Sequence, residues 1–230
     1  PNAAPIALDL NEAALDTAGA TGSNSSLTTE TDNTPSLSFT AGSDALTSFQ
    51  FSTNLGSLVS NLDGAGTDIV WVRAADGQSV TGHLGSAAGP IAVTLTLSAP
   101  ASIAAGATGN VTVTATLSDN LPHANALLNQ IQSLGSILVE ARDHDGDVAT
   151  GQVSINVQDD VPAANADTDS IDEGQASATG NVLSGVGTTN APGSADVPGA
   201  DAAVVTGVVA GNVAGPVANG GLGGELVGSY

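Results

Sequence analysis

Apolar and polar residues alternate with a period of two along much of the chain. In IAVTLTL, Ile91, Val93, Leu95 and Leu97 fall on one face, with Ala92, Thr94 and Thr96 on the other; NVTVTATL repeats the pattern with Val111, Val113, Ala115 and Leu117. Such alternation among β-branched residues predicts half-buried strands. SFQFS (48–52), DIVWVRA (68–74), SILVEA (136–141) and GQVSINV (151–157) predict four more. Between the first two lies SAPASIAAGATG, rich in small and turn-forming residues as a surface loop should be. Residues 1–160 therefore read as an all-β domain, an antiparallel immunoglobulin-like β-sandwich.

One segment follows another period. In HANALLNQIQSLG, Leu127, Leu128, Ile131 and Leu134 recur at helical spacing, and Gly135 stands where a C-terminal cap belongs. The pattern predicts a short helix crossing between strands, its apolar stripe packed on the core.

The start of the chain also returns later. PNAAPIALDLNEAALDTAG lies over PAANADTDSIDEGQASATG at a constant offset of 161, pairing Pro1 with Pro162, Ala3 with Ala164, Glu12 with Glu173 and Gly19 with Gly180. Tandem units follow from that offset. The second covers 161–230 as a partial β module, with short Val-rich strands such as AAVVTGVVAG and a final strand beginning at ELVGSY. Residues 180–230 hold 13 of the 29 Gly. A chain without Met that begins at Pro1 reads as a piece of a longer protein.

Composition narrows the function classes. Hydrophobic residues make up 41% of the 230, which argues against global disorder, yet only five are aromatic, so Ala, Val, Leu and Ile must fill the core. No apolar run approaches the roughly 20 residues that span a bilayer, so direct membrane insertion is not expected. The 23 acidic residues face two arginines, Arg73 and Arg142, and no lysine, for a net charge of −21. A phosphate backbone needs basic side chains to displace its counterions, so nucleic acid is not an expected partner. That much like charge also opposes compaction unless cations neutralise part of it. With no Cys, disulfides cannot staple the fold, and bound metal is the usual substitute outside the cell.

The densest acidic stretch is Asp143-His144-Asp145-Gly146-Asp147. It is not an EF-hand loop, since Gly arrives at position 4 and position 12 is Ser154. Asp145-Gly146 between two strand-like runs is a hairpin-turn signal. Downstream stand Asp159, Asp160, Asp167, Asp169, Asp172 and Glu173. A hairpin that returns its far end would let these carboxylates converge near the 160/161 junction. Calcium takes six to eight oxygen ligands, and this region supplies them, whereas the His and Cys favoured by zinc or copper are scarce.

The segments VTVTATLSDNLPH, VEARDHDGDVATGQVSINVQDDVPAA and DSIDEGQASATGNVLS resemble the tandem repeat domains of large bacterial RTX-type adhesins exported by type I secretion. The first 160 residues resemble one whole module, and the remainder resembles the start of a cadherin-like module. The resemblance implies an extracellular, calcium-stabilised spacer at the bacterial cell surface, supporting cell adhesion and biofilm formation. Its partners would be neighbouring repeat modules, with any host or matrix ligand bound through other domains. The family's acidic positions fall on Asp143, Asp145, Asp147, Asp159, Asp160, Asp172 and Glu173. The glycine-rich GGxGxD calcium repeats of RTX tails are absent, so the piece would belong to the stalk.

Two other functions compete. Catalysis is not expected: His83, His123 and His144 lie in loop-like surroundings, Gly77–Gly82 misses a GxSxG elbow by one residue, and a lysine-free chain makes a poor phosphate site. Trp71, the single Trp, reads as core and not as a sugar platform. A calcium-dependent carbohydrate- or protein-binding module of the same kind of adhesin would carry an aromatic-bearing insertion. The stretch at 19–36 is the candidate, and it lacks aromatics.

Overall fold

The computed structural model describes residues 2–62, 68–123, 130–165, 167, 169–170, 172–174, 177, 179–188, 193–201 and 205. The chain divides into two compact units, one of Pro1–Val161 with Gly199–Asp201, the other of Pro162–Pro198 with Ala202–Tyr230.

The first unit is two sheets packed face to face. One has four strands in the order β1 (Ile6–Asn11), β10 (Val148–Gln158), β9 (Ile131–Asp143), β4 (Leu46–Phe51). The other runs β2 (Thr31–Asp32), β8 (Thr108–Leu117), β7 (Ile91–Ser98), β6 (Ser79–Leu84), β5 (Ile69–Arg73), with β3 (Leu37–Thr40) also paired to β8. Alternation buries Val111, Val113, Ala115 and Leu117 of β8 and Gly151, Val153, Ile155 and Val157 of β10. Phe39 and Phe49 meet edge to face across the layers, ring centres 6.3 Å apart. Trp71 packs partly buried against the core and donates its indole N–H to the Val59 carbonyl at 2.8 Å. Arg73 of β5 reaches the opposite sheet, donating to the Phe51 carbonyl at 2.8 Å.

The sandwich is not wholly antiparallel. β1 pairs with β10 in parallel, from Ile6 beside Val153 to Asn11 beside Gln158. One face assignment also changes. A bulge opposite Gly82/His83 leaves Ala92 unpaired and shifts the phase, so Ala92 is buried and Ile91 is 43% exposed.

The expected helix is corrected where it can be followed. Residues 131–135 belong to β9, while Leu127 and Leu128 lie outside the described residues. The helical spacing has a physical source. β9 carries a bulge where Ile155 pairs with Gly135 and Asn156 with Ser133, so Leu134 and Ile137 are both buried three residues apart. Ile131, on the presumed apolar stripe, is 72% exposed. Gly135 takes φ +86° in that bulge and caps no helix. Among the described residues, the only helical turn is a 3-10 turn at Glu12–Ala14, and no helix is long and apolar enough to cross a membrane.

In the second unit, Ala163 and Val197 form a β-bridge, and Asn181 caps a turn by accepting from the N–H groups of Leu183 and Ser184 at 2.9 and 3.0 Å. The strands expected at AAVVTGVVAG, apart from Val205, and at ELVGSY lie outside the described residues.

Candidate metal centre

The acidic residues singled out in the sequence fall in separate places. Asp143, Asp145 and Asp147 sit at the β9–β10 turn. The Asp143 carboxylate caps that turn, its Oδ1 accepting from the N–H of Asp145 at 3.1 Å and of Asp147 at 2.9 Å, while Gly146 supplies φ +91°. Asp143 and Asp147 line an open cleft with Asp44 and Ser43, and His144 is exposed beside Asp145. Asp159 and Asp160 follow the last residue of β10. Eleven strand residues at about 3.3 Å each separate the two groups by roughly 35 Å, so they do not share a site. A hairpin brings its strands side by side, and the end of β10 therefore returns to the start of β9, where Asp159 donates its N–H to Gln130. Asp172 and Glu173 belong to the second unit, both exposed, with Glu173 in a turn beside Gly174.

Asp160 already has a structural task. Its Oδ1 accepts from the Ser23 hydroxyl at 2.5 Å, and its Oδ2 from the N–H groups of Ser23 at 2.7 Å and Ala200 at 3.0 Å. Those bonds strap the loop at 17–24 over the 3-10 turn. Gly22 permits the approach, because a Cβ there would lie 2.2 Å from the Glu12 carbonyl oxygen.

Under that strap three ligand-type side chains converge. Glu12 leaves β1 in the 3-10 turn, which Asn11 caps by accepting from the Ala13 N–H at 2.9 Å. His123 lies on the segment after β8, and Asp159 directly follows β10. His123 Nε2 is 3.2 Å from Glu12 Oε1 and 3.8 Å from Asp159 Oδ1, and one ligand atom from each residue falls within 4.8 Å of the others. Among the described residues this is the only such group of three or more His, Asp or Glu side chains. The Glu12 side chain is fully buried, and those of His123 and Asp159 are 2% and 5% exposed. Leu121 donates its N–H to Glu12 Oε1 at 2.7 Å, and His123 Nε2 lies against the same oxygen, but Glu12 Oε2 and His123 Nδ1 have no hydrogen-bond partner. Two unpartnered buried polar atoms in one place are costly for a fold to carry.

Electrostatics follow from burial. Loss of water pushes the Glu12 carboxyl above the ordinary carboxylate range, against the lowering pull of His123 and of the Leu121 N–H. Burial likewise raises Asp159, with the charges of Asp201 and Asp160 adding to it and that of His123 opposing it. For His123, burial alone would lower the value, but the close contact with Glu12 and the charges of Glu12, Asp159 and Asp201 outweigh it and shift it upward. All three groups hold protons more tightly folded than unfolded. Their contribution is complete below their unfolded values and is lost as pH rises through the folded ones. In EDTA, the unfolding temperature is therefore expected to fall as pH rises from about 4 to beyond about 6.5, the ordinary carboxylate and imidazole values. Thermal scans of Glu12→Gln, which keeps the acceptor for Leu121, should show a flatter slope than the unaltered chain.

The buried Glu12, His123 and Asp159 can together hold a metal ion. Two carboxylates and one neutral imidazole offer two negative charges, matching a divalent cation. Sequence reasoning marks Asp159 as acidic and Glu12 as a repeated position, but sets His123 aside. The three are separated by 111 and 36 residues, and no local spacing announces them. No protein-family model, curated protein or solved structure matches the chain.

Proposed function

We propose that the chain is a calcium-stabilised extracellular spacer module of a large bacterial surface adhesin, supporting adhesion and biofilm formation without catalysing a reaction. The observation that carries this reading is the path of the chain through the first unit. β1 and β10 are parallel neighbours, and Ala3 donates its N–H to the Thr150 carbonyl near the β9–β10 turn. The chain therefore enters at one pole of the sandwich and leaves at Asp159–Val161, about one strand length away. A module threaded this way passes the chain onward, so tandem copies add length instead of folding back. Its partners are the neighbouring modules of the same protein, and any host or matrix ligand is bound elsewhere.

Calcium completes the reading. Carboxylates gather at the pole of the β9–β10 turn, where Asp44, Asp143 and Asp147 line one open cleft and Asp145 stands beside it. Under a net charge of −21 their repulsion works against the fold, and oxygen-seeking calcium relieves it. The test is thermal unfolding of the 230-residue chain in millimolar calcium, magnesium or EGTA. Calcium at about 100 times its Kd adds roughly 2.7 kcal/mol, which raises the unfolding temperature by about 5–10 °C. A temperature indifferent to calcium rejects calcium stabilisation. A head-to-tail tandem of two copies that scatters X-rays as a folded-back pair rejects the spacer role.

A further inference from the structure

We propose that Glu12, His123 and Asp159 form a specific site for a first-row divalent transition metal of the zinc class, distinct from any calcium bound at the acidic surface. The inference does not rest on the adhesin reading. Calcium builds its shell from six to eight oxygens, whereas one ligand here is an imidazole nitrogen. One His and two carboxylates suit zinc and its neighbours.

The second observation is independent of the clustering. Glu12 Oε2 and His123 Nδ1 are buried and unpartnered, while the neighbouring buried carboxylate of Asp160 has both oxygens satisfied. A buried donor set left open beside a closed one marks the position a cation takes up. The supporting contacts hold the donors in place. Leu121 fixes Glu12 Oε1, leaving Oε2 free to ligate, and the Asp159 N–H is anchored on Gln130. Asn120 holds the Asp201 carboxylate at 2.5 Å, and Asp201 adds negative charge facing all three donors. A metal there would pin the ends of β1, β8 and β10 at the pole where the chain leaves the sandwich.

The test uses the full chain stripped with a chelator and dialysed metal-free. Zinc is added by calorimetric titration, and cobalt(II) by its visible absorption, whose ligand-field bands report nitrogen and oxygen coordination. One ion per chain is expected, with the cobalt spectrum unchanged by excess calcium and lost on adding zinc. His123→Gln and Glu12→Gln should each weaken zinc binding by roughly 100-fold, at least the upper range of losing even an outer partner of a metal ligand. Both variants are checked in EDTA, where their circular dichroism should match that of the unaltered chain. Failure to bind zinc or cobalt, binding unaffected by both substitutions, or displacement of cobalt by calcium would each overturn the proposal. A calcium-indifferent chain that binds zinc rejects the calcium reading alone, and a calcium-stabilised chain that ignores zinc rejects this site alone.

Discussion

Asp160→Ala is expected to destabilise the first unit by about 3 kcal/mol, a fall of roughly 10 °C in unfolding temperature. The loss should be the same in calcium and in EGTA. Asp160 is 5% exposed, and its two oxygens accept from the Ser23 hydroxyl, the Ser23 N–H and the Ala200 N–H. Each hydrogen bond to a charged group is worth about 1.5–3 kcal/mol, and bonds that share one carboxylate do not simply add. Removing the side chain also orphans the Ser23 N–H and frees the loop at 17–24 from the turn that carries Glu12. Asp145→Ala makes the contrast, since Asp145 is exposed and its main neighbour is the exposed His144 at 3.7 Å. That change should stay within about 0.5 kcal/mol. Differential scanning calorimetry in the two buffers decides between roles. A loss for Asp160→Ala confined to calcium would make the residue a ligand and sink the strap.

The periodic parts of the fold are readable in the residues themselves. β8 and β10 bury every second residue along runs of Val, Ile, Ala and Leu, so alternation alone places their faces. The turn at 144–147 is equally plain, because Asp-Gly between strands has few other conformations available. β1 and β6 escape for different reasons. β1 buries Ile6, Leu8 and Leu10 alternately, but spans six residues broken by Asp9, and its parallel partner lies some 147 residues away. β6 runs through Gly82 and His83, neither a strand former, and is held by pairing on both sides. The metal centre is less legible still. Periodicity reports which way a side chain faces, not which strand ends meet, and Glu12, His123 and Asp159 meet only because β1, β8 and β10 all finish at one pole. The acidic runs show the converse error. DHDGD and QDD are close in sequence, yet they cap opposite ends of β10.

Gly135→Ala is expected to cost about 3–5 kcal/mol. The backbone at Gly135 has φ +86°, a conformation that costs an L side chain roughly 1–2 kcal/mol. A Cβ there would also lie 2.1 Å from the Ser57 carbonyl oxygen and 3.0 Å from the Leu58 Cα. Those atoms are backbone, fixed by the Ser136 N–H to Ser57 carbonyl bond at 3.0 Å and the Val59 N–H to Leu134 carbonyl bond at 2.9 Å, so they cannot swing aside. Relief requires opening the bulge or lifting the segment around Leu58 from the sheet, and either exposes buried Leu58 and Leu134. Gly146→Ala separates the two contributions. Its φ of +91° carries a similar conformational cost, but nothing lies within 4 Å of the added Cβ, so about 1–2 kcal/mol is expected. Urea unfolding of both variants therefore measures the steric term as a difference. Equal losses would mean that the strand at 131–135 is not held against residues 57–59. A Gly135→Ala chain as stable as the unaltered one would return that segment to the helix its spacing imitates.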